Sequence, residues 1–135
     1  MKHLIKSVTD YNATYGTIFR VINPIFSLYD ISGEVKLETL NQQPNTGGVF
    51  LFYDQNKNLL AVYSAKNFYD GLKSHIKTQK DNSGNWIVKG TWVSNPVYIA
   101  FVCGDQNRLY EKDSLRTFLI KELNARYDEN GNLTR

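Results

Sequence analysis

Alternating apolar and polar side chains predict short β-strands in the first third of the chain. The residues of 17–22 alternate in this way, and two further apolar stretches, 27–29 and 35–37, flank a turn around Gly33. Glycine tolerates the positive φ that tight turns require, so these two stretches predict a hairpin. We therefore expect an N-terminal β extension over residues 1–45.

The middle of the chain contains a second predicted hairpin and two later strands. Two apolar runs, 49–53 and 59–63, are joined by five polar residues, which is typical of a hairpin. The alternation from Trp86 to Trp92 predicts a strand with both tryptophans on one face. The apolar run 97–103 predicts a buried strand.

Two segments carry apolar residues with the period of a helix. The first begins after Ser64, a suitable N-cap, and extends to Lys80. Gly71 lies in its middle, where a glycine costs about 1 kcal/mol relative to alanine. The second segment ends near Arg126, and we expect the polar tail 129–135 to be flexible. The apolar faces of the two helices comprise Phe68, Leu72 and Ile76, and Leu115, Phe118, Leu119 and Leu123, respectively.

These elements predict an α+β fold with a small mixed β-sheet and two main helices. At 135 residues, the chain is long enough for a single domain with its own core. Within that domain we expect the β extension over 1–45, an α+β core over 46–128 and the flexible tail over 129–135.

Composition narrows the classes of function. Hydrophobic residues make up 41% of the chain and charged residues 21%, which is typical of a folded globular protein. A single cysteine excludes an internal disulfide and a multi-cysteine metal site. The longest apolar run, 97–103, is too short to cross a bilayer, and no secretory leader follows Met1. We therefore expect a cytoplasmic protein without membrane association and without a cofactor.

The formal net charge of +3 is concentrated in one segment, 66–80. This segment holds four lysines and one aspartate, whereas basic and acidic residues balance on either side of it. At about 100° per residue, the four lysines would share one face of the first helix. Lysines attract phosphate independently of base sequence, so this face predicts nonspecific, salt-sensitive nucleic-acid binding. A solvated helix face is the simpler interpretation.

The segment 48–128 resembles the GIY-YIG nuclease family. The resemblance rests on the strand start 48–50 (Gly-Val-Phe) and on the run 64–68 (Ser-Ala-Lys-Asn-Phe). It also rests on 119–121 (Leu-Ile-Lys) and 127–128 (Tyr-Asp) near the end of the chain. The family's order of hairpin, helix, strand and helix matches the predicted order here. Its members hydrolyse phosphodiester bonds with a bound divalent cation.

At the positions of the family's catalytic residues, this chain carries different side chains. The family uses a tyrosine from each hairpin strand, an arginine from the helix and a metal-binding glutamate. Here the glutamate falls on an arginine, which repels a divalent cation. The resemblance therefore implies a nuclease scaffold that no longer cuts and holds no metal. In that order the positions are Phe50, Ala61, Gly71 and Arg116, and the glycine after the second tyrosine falls on Tyr63.

The leading hypothesis is a non-catalytic module that binds nucleic acid or a nucleic-acid-processing partner. One alternative is a regulatory inhibitor of phage or mobile-element type, which would bind a protein through the N-terminal hairpin and the face with Trp86 and Trp92. A second alternative is a divergent metal-dependent endonuclease with relocated catalytic residues, drawn from Tyr53, Tyr63, His75, Glu111 and Asp113. The candidate nucleic-acid-binding residues of the leading hypothesis are Lys66, Lys73, Lys77, Lys80 and Arg116.

Overall fold

The computed structural model describes residues 2–22, 25–29, 47–75, 77–84, 86–89, 92–104 and 106–134, without the side chains of Lys73, Trp86 and Gln106. Within these ranges, no helix is both long and apolar enough to span a membrane. The elements are, in chain order, α1 (Lys2–Tyr15), β1 (Arg20–Val21), β2 (Phe26–Ser27), β3 (Gly48–Tyr53), β4 (Leu59–Ala65), α2 (Phe68–His75), β5 (Thr78–Lys80), β6 (Trp86–Val88), β7 (Tyr98–Cys103) and α3 (Lys112–Glu122). A 3₁₀ helix, Gln106–Glu111, precedes α3.

The main sheet has the strand order β1-β7-β3-β4, and β2 pairs with the other end of β7. The predicted hairpin is β3–β4, in which Phe50 lies opposite Tyr63, and β7 pairs with the other edge of β3. Strands β5 and β6 form a separate two-stranded sheet. The α+β class is confirmed, but all described strand pairs are antiparallel, so the sheet is not mixed.

Side chains of β3 point alternately to the two faces of the sheet and contribute to two core clusters. Helices α1 and α3 cover one face, where Leu4, Val49 and Leu115 belong to the same cluster. Helix α2 covers the other face, where Phe50 and Phe68 belong to the second cluster. All of β3 is buried because both of its faces are covered.

The N-terminal segment differs most from the prediction. Residues 2–15 form α1, so the β extension over 1–45 is wrong for this part of the chain. The buried side chains of α1 recur at helical spacing, and Tyr11 lies 5.3 Å (ring centroid to ring centroid) from Phe118 of α3. Packing on α3 therefore stabilises this helix, as is usual for an amphipathic segment. The predicted hairpin around Gly33 lies outside the described residues.

Helix α2 is shorter than the predicted helix from Ser64 to Lys80. It begins after Asn67, whose side-chain Oδ1 accepts a hydrogen bond from the backbone N–H of Asp70 at 3.2 Å. Asn67 is therefore the N-cap, whereas Ser64 lies in β4. The helix ends at His75, because the next described residues enter β5 and pair with β6.

The C-terminal segment folds back on itself after α3. Leu115, Leu119 and Ile120 of α3 are buried, and the predicted second helix is confirmed. After it, Asp128 Oδ1 accepts hydrogen bonds from the backbone N–H groups of Asn130 and Asn132, both at 2.9 Å. The tail that we predicted to be flexible, 129–135, is thus a tight turn in its described part.

Candidate functional site

An open pocket of about 330 Å³ lies at the β4 edge of the main sheet. Its walls come from β4, the last residue of α2, the middle of α3 and the C-terminal turn. The C-terminal segment also covers part of the β4 edge, where the backbone N–H of Tyr127 donates to Leu60 O at 2.9 Å. The pocket is lined by Tyr63, Ser64, His75, Arg116, Glu129, Asn130 and Gly131.

Arg116 carries the positive charge on the wall of this pocket. Its Nε donates to Val62 O at 2.6 Å, and its Nη2 donates to Glu129 O at 3.2 Å. Both acceptors are uncharged carbonyls, and within the described ranges Arg116 forms no salt bridge with a carboxylate. A guanidinium has five N–H donors, so two contacts leave donors for a ligand.

Two stacked rings form the neighbouring wall. The rings of Tyr63 and His75 are nearly parallel, with centroids 4.1 Å apart, and the guanidinium carbon of Arg116 lies 5.6 Å from the Tyr63 centroid. Burial lowers the pKa of His75, and the positive charges of Arg116 and Lys77 lower it further. His75 is therefore neutral at neutral pH, in a region of positive potential.

Two acidic residues lie at this pocket: Glu129 lines it, and Asp113, beside it, already has partners. Ser64 donates a hydrogen bond to Asp113 Oδ1, and Lys112 Nζ lies 3.4 Å from Asp113 Oδ2. The hydrogen bond from Ser64 is the main reason why the pKa of Asp113 is lowered. Asp113 is therefore an ionised carboxylate held by its neighbours.

Of the five residues named for a relocated nuclease, Tyr63 and His75 line the pocket and Asp113 lies beside it, whereas Glu111 and Tyr53 lie elsewhere. Glu111 accepts hydrogen bonds from Tyr11 at 2.7 Å and Arg108 at 3.0 Å, and neither donor lines the pocket. Tyr53 lies at the other end of the β3–β4 hairpin. In the part of the chain that the structure describes, no group of three or more histidine, cysteine, aspartate or glutamate residues could hold a metal ion.

Three of the four positions that the resemblance assigns to catalysis, Phe50, Ala61 and Gly71, lie in close packing. Phe50 is fully buried and Ala61 is 2% exposed. At Gly71, an added Cβ would lie 2.6 Å from Ala65 Cβ and 3.1 Å from Phe50 Cε1. Helix α2 therefore approaches β4 too closely for a larger residue, which accounts for a glycine in mid-helix.

Replacing Gly71 with alanine is expected to lower the free energy of unfolding by about 1–3 kcal/mol. Alanine favours the helix by about 1 kcal/mol, but the overpacked contact with Ala65 outweighs this gain. Urea unfolding followed by circular dichroism measures the change. Ser74→Ala is the control, since Ser74 is exposed on the same helix. A Gly71→Ala variant more stable than the wild type would contradict the close approach.

The predicted lysine face is wrong, because α2 ends before two of its members. Lys66 follows β4, Lys77 lies between α2 and β5, and Lys80 ends β5; all three are exposed. Lys73 is on α2, but its side chain lies outside the description. The positive charge of Lys77 contributes to the lowered pKa of His75, which lines the pocket.

The predicted strand from Trp86 to Trp92 is also shorter than expected. Strand β6 ends at Val88, and the half-buried ring of Trp92 packs against Phe52 and Tyr127 at centroid distances of 6.1 and 5.8 Å. Trp92 is therefore a packing residue of the second core cluster. The side chain of Trp86 lies outside the described residues.

The site centres on the stacked rings of Tyr63 and His75, which no sequence pattern brought together. Tyr63 had one signal, since it replaces a glycine of the family motif next to the catalytic position. His75 was named as a candidate for relocated catalysis, but no signal paired it with Tyr63, because their contact depends on where α2 ends. Of the predicted binding residues, the structure brings Arg116 and Lys77 near His75.

Comparisons of the chain with protein-family models, with curated proteins and with solved structures find no match. What the site does must therefore be argued from its own residues.

Proposed function

We propose that this protein is a non-catalytic nucleic-acid-binding protein, built on a GIY-YIG-like scaffold and acting in the cytoplasm. The observation that carries the proposal is the placement of Arg116. Among the residues that the structure describes, its guanidinium donates to two carbonyl oxygens and lies beside the Tyr63 ring, and it lines an open pocket. A phosphate is the natural ligand for such a group, since its oxygens accept charge-assisted hydrogen bonds from guanidinium donors.

The order of elements supports the scaffold. The β3–β4 hairpin is followed by α2, then by the β5–β6 pair, β7 and α3; apart from that pair, this is the order that the resemblance implies. Strand β3 lies between β4 and β7. Helix α1 and strands β1 and β2 are additional to this unit.

The environment of the family's catalytic positions supports a loss of cleavage. Phe50 has no hydroxyl group to activate water, and it is sealed in the core. The space at Gly71 does not accept a Cβ atom, so an arginine side chain has no place on this face of α2. Arg116 would oppose a divalent cation by about 2 kcal/mol at 4 Å, even in water.

The surroundings of Arg116 support a nucleic acid as the anion. Lys77 adds a second positive charge near His75, and the pocket opens to solvent, where a phosphate of a long chain can enter. The half-buried Tyr63 and the exposed His75 line the pocket and can contact sugar and base. The exposed lysines Lys66 and Lys80, although not on one helix face, add to the long-range attraction.

Arg116→Gln is expected to weaken binding of a labelled nucleic acid by about 10- to 100-fold, because a charged hydrogen bond contributes about 1.5–3 kcal/mol. Fluorescence anisotropy with single-stranded DNA, duplex DNA and single-stranded RNA at about 50 mM salt measures the affinity. Arg116→Lys keeps the charge without the planar fork, so an intermediate affinity is expected. The matched control is Arg20→Gln, which removes one exposed charge from β1, at the far edge of the sheet.

Three results would contradict the proposal. If no probe binds at low salt, the protein is not a nucleic-acid-binding protein. If Arg20→Gln weakens binding as much as Arg116→Gln, the pocket is not the contact. Cleavage of any probe with Mg²⁺ or Mn²⁺ would exclude the non-catalytic assignment. Because Arg116 also bonds Val62 and Glu129, circular dichroism of each variant must first match the wild type.

A further inference from the structure

A larger pocket, of about 540 Å³, lies at the opposite end of the β3–β4 hairpin. It is bounded by the start of α1, the hairpin loop and the residues that follow α3. Tyr53, the last residue of β3, forms part of its wall and is 8% exposed. The hydroxyl group of Tyr53 forms no hydrogen bond to any residue that the structure describes.

This hydroxyl differs from other tyrosine hydroxyls in the core. Tyr11 donates to Glu111 at 2.7 Å, and Tyr127 accepts from the backbone N–H of Val93 at 2.8 Å. The Tyr53 hydroxyl is instead accessible to the solvent of the pocket, so its hydrogen-bonding capacity is available to a ligand. A phenylalanine would supply the same packing at Tyr53, so packing does not explain the hydroxyl. Burial also raises the pKa of Tyr53 to about 12, which leaves the hydroxyl protonated and able to donate at neutral pH.

The charges around the pocket favour an anion. Lys57 and Arg126 are cationic, and the acidic residue on the wall is Asp54. The oxygens of Asp54 already accept hydrogen bonds from Asn56, Asn58 and Ser94. The first turn of α1 contains no acidic residue, and the N–H groups of a first turn have no acceptor within the helix. The helix dipole therefore adds positive potential beside Leu4.

We propose that this pocket binds a small organic anion, independently of the nucleic-acid site. A carboxylate of the ligand accepts a hydrogen bond from the Tyr53 hydroxyl and faces Lys57 and Arg126. The apolar part of the ligand packs against Leu59 and Leu123, which also line the pocket. The ligand carboxylate thereby meets a hydroxyl donor and two positive charges at once.

Benzoate and benzylamine are suitable probes, because they have similar shapes and opposite charges. In ¹⁵N-resolved NMR titrations, benzoate is expected to shift the backbone amides of Tyr53, Lys57 and Leu4, with a Kd of about 1–10 mM, typical of a small fragment. Benzylamine is expected to leave these amides unshifted. The absence of shifts with benzoate up to about 20 mM, or equal shifts with benzylamine, would overturn the proposal.

Tyr53→Phe is expected to weaken benzoate binding about 10-fold, because a hydrogen bond to a charged group is lost. Its unfolding transition should match that of the wild type, since the hydroxyl has no protein partner to lose. Tyr98→Phe is the matched control, as it removes a hydroxyl from the neighbouring strand outside the pocket, and it should bind benzoate normally. Lys57→Asn, at an exposed position with φ of 62° that asparagine tolerates, should also weaken binding. Unchanged affinity in Tyr53→Phe and Lys57→Asn would overturn the proposal.

Discussion

Replacing Gly48 with alanine is expected to lower the free energy of unfolding by about 4 kcal/mol. Gly48 begins β3 with φ of 144°, a conformation that residues with a Cβ rarely adopt. An added Cβ would lie in hard contact with Val102 O and 2.7 Å from Gly104 N. Both atoms belong to the backbone of β7 and its end, so relief of the contact requires the β3–β7 pairing to separate. Urea unfolding measures the loss.

Gly84→Ala separates the cost of a positive φ from the cost of the steric contact with β7. Gly84 also has a positive φ, 85°, but no atom lies within 4 Å of the added Cβ. Its replacement should cost about 1 kcal/mol, the backbone contribution alone. Equal losses in the two variants would contradict the steric argument. Gly48 is also the first glycine of the family motif, so the steric need for it in this fold does not depend on catalysis.

Asp54→Ala is expected to lower the free energy of unfolding by about 3 kcal/mol at neutral pH, since each hydrogen bond to a charged group contributes about 1.5–3 kcal/mol. Asp54 is 7% exposed and organises the β3–β4 loop. Its Oδ1 accepts from the N–H groups of Asn56 and Asn58, both at 2.9 Å, and its Oδ2 accepts from Ser94 at 3.0 Å. Chemical denaturation at pH 7 measures the change.

The C-terminal turn provides a matched control for Asp54. Asp128 accepts from the N–H groups two and four residues later, as Asp54 does, but it is more exposed and the structure gives it no bond equivalent to that from Ser94. Asp128→Ala should therefore cost about 1 kcal/mol. If Asp128→Ala lowers the free energy of unfolding as much as Asp54→Ala does, then burial and the hydrogen bond from Ser94 do not strengthen the contribution of Asp54.

The effect of Asp54 should also depend on pH. Burial alone would raise the pKa of Asp54, but hydrogen bonds from Asn58, Ser94 and Asn56 together lower it below its ordinary value of about 3.9. The unfolded state then binds the proton more readily than the folded state does. The ionised Asp54 carboxylate therefore makes its full contribution to the free energy of unfolding above about pH 5. This contribution is lost as the pH falls through the native pKa of Asp54. The difference between wild type and Asp54→Ala should shrink in acid, and a constant difference would contradict the ionised assignment.

Local patterns predicted the elements whose stability depends on nearby residues. The β3–β4 hairpin, β7 and α3 all lie where the apolar periodicity and the turn residues placed them. The loop sequence also repeats: the pattern Asp-x-Asn-x-Asn occurs at 54–58 and at 128–132, and both copies form the same turn. The second copy was predicted to be a flexible tail, although it carried the same local signal.

Other elements depend on partners that are distant along the chain. Helix α1 is stabilised on α3, about a hundred residues later, through contacts such as that of the Tyr11 ring with the Phe118 ring. Residues 78–80 continue the helical pattern of α2, yet they form β5 because 86–88 pairs with them. Periodicity reports which residues share a face, but not which segment will cover that face.

The sequence by itself determined that position 116 carries a positive charge, that Phe50 has no hydroxyl group and that Gly71 has no side chain. The net charge of its lysine segment was also visible in the sequence. Only the tertiary structure decided which of these groups meet. The carbonyl groups of Val62 and Glu129, which bind the Arg116 guanidinium, are 54 and 13 residues away from it. Helix α2 ends at His75, so the His75 ring stacks on Tyr63 and the lysines that follow do not continue the helix face. Such contacts are set by packing over long sequence separations, which no local pattern encodes.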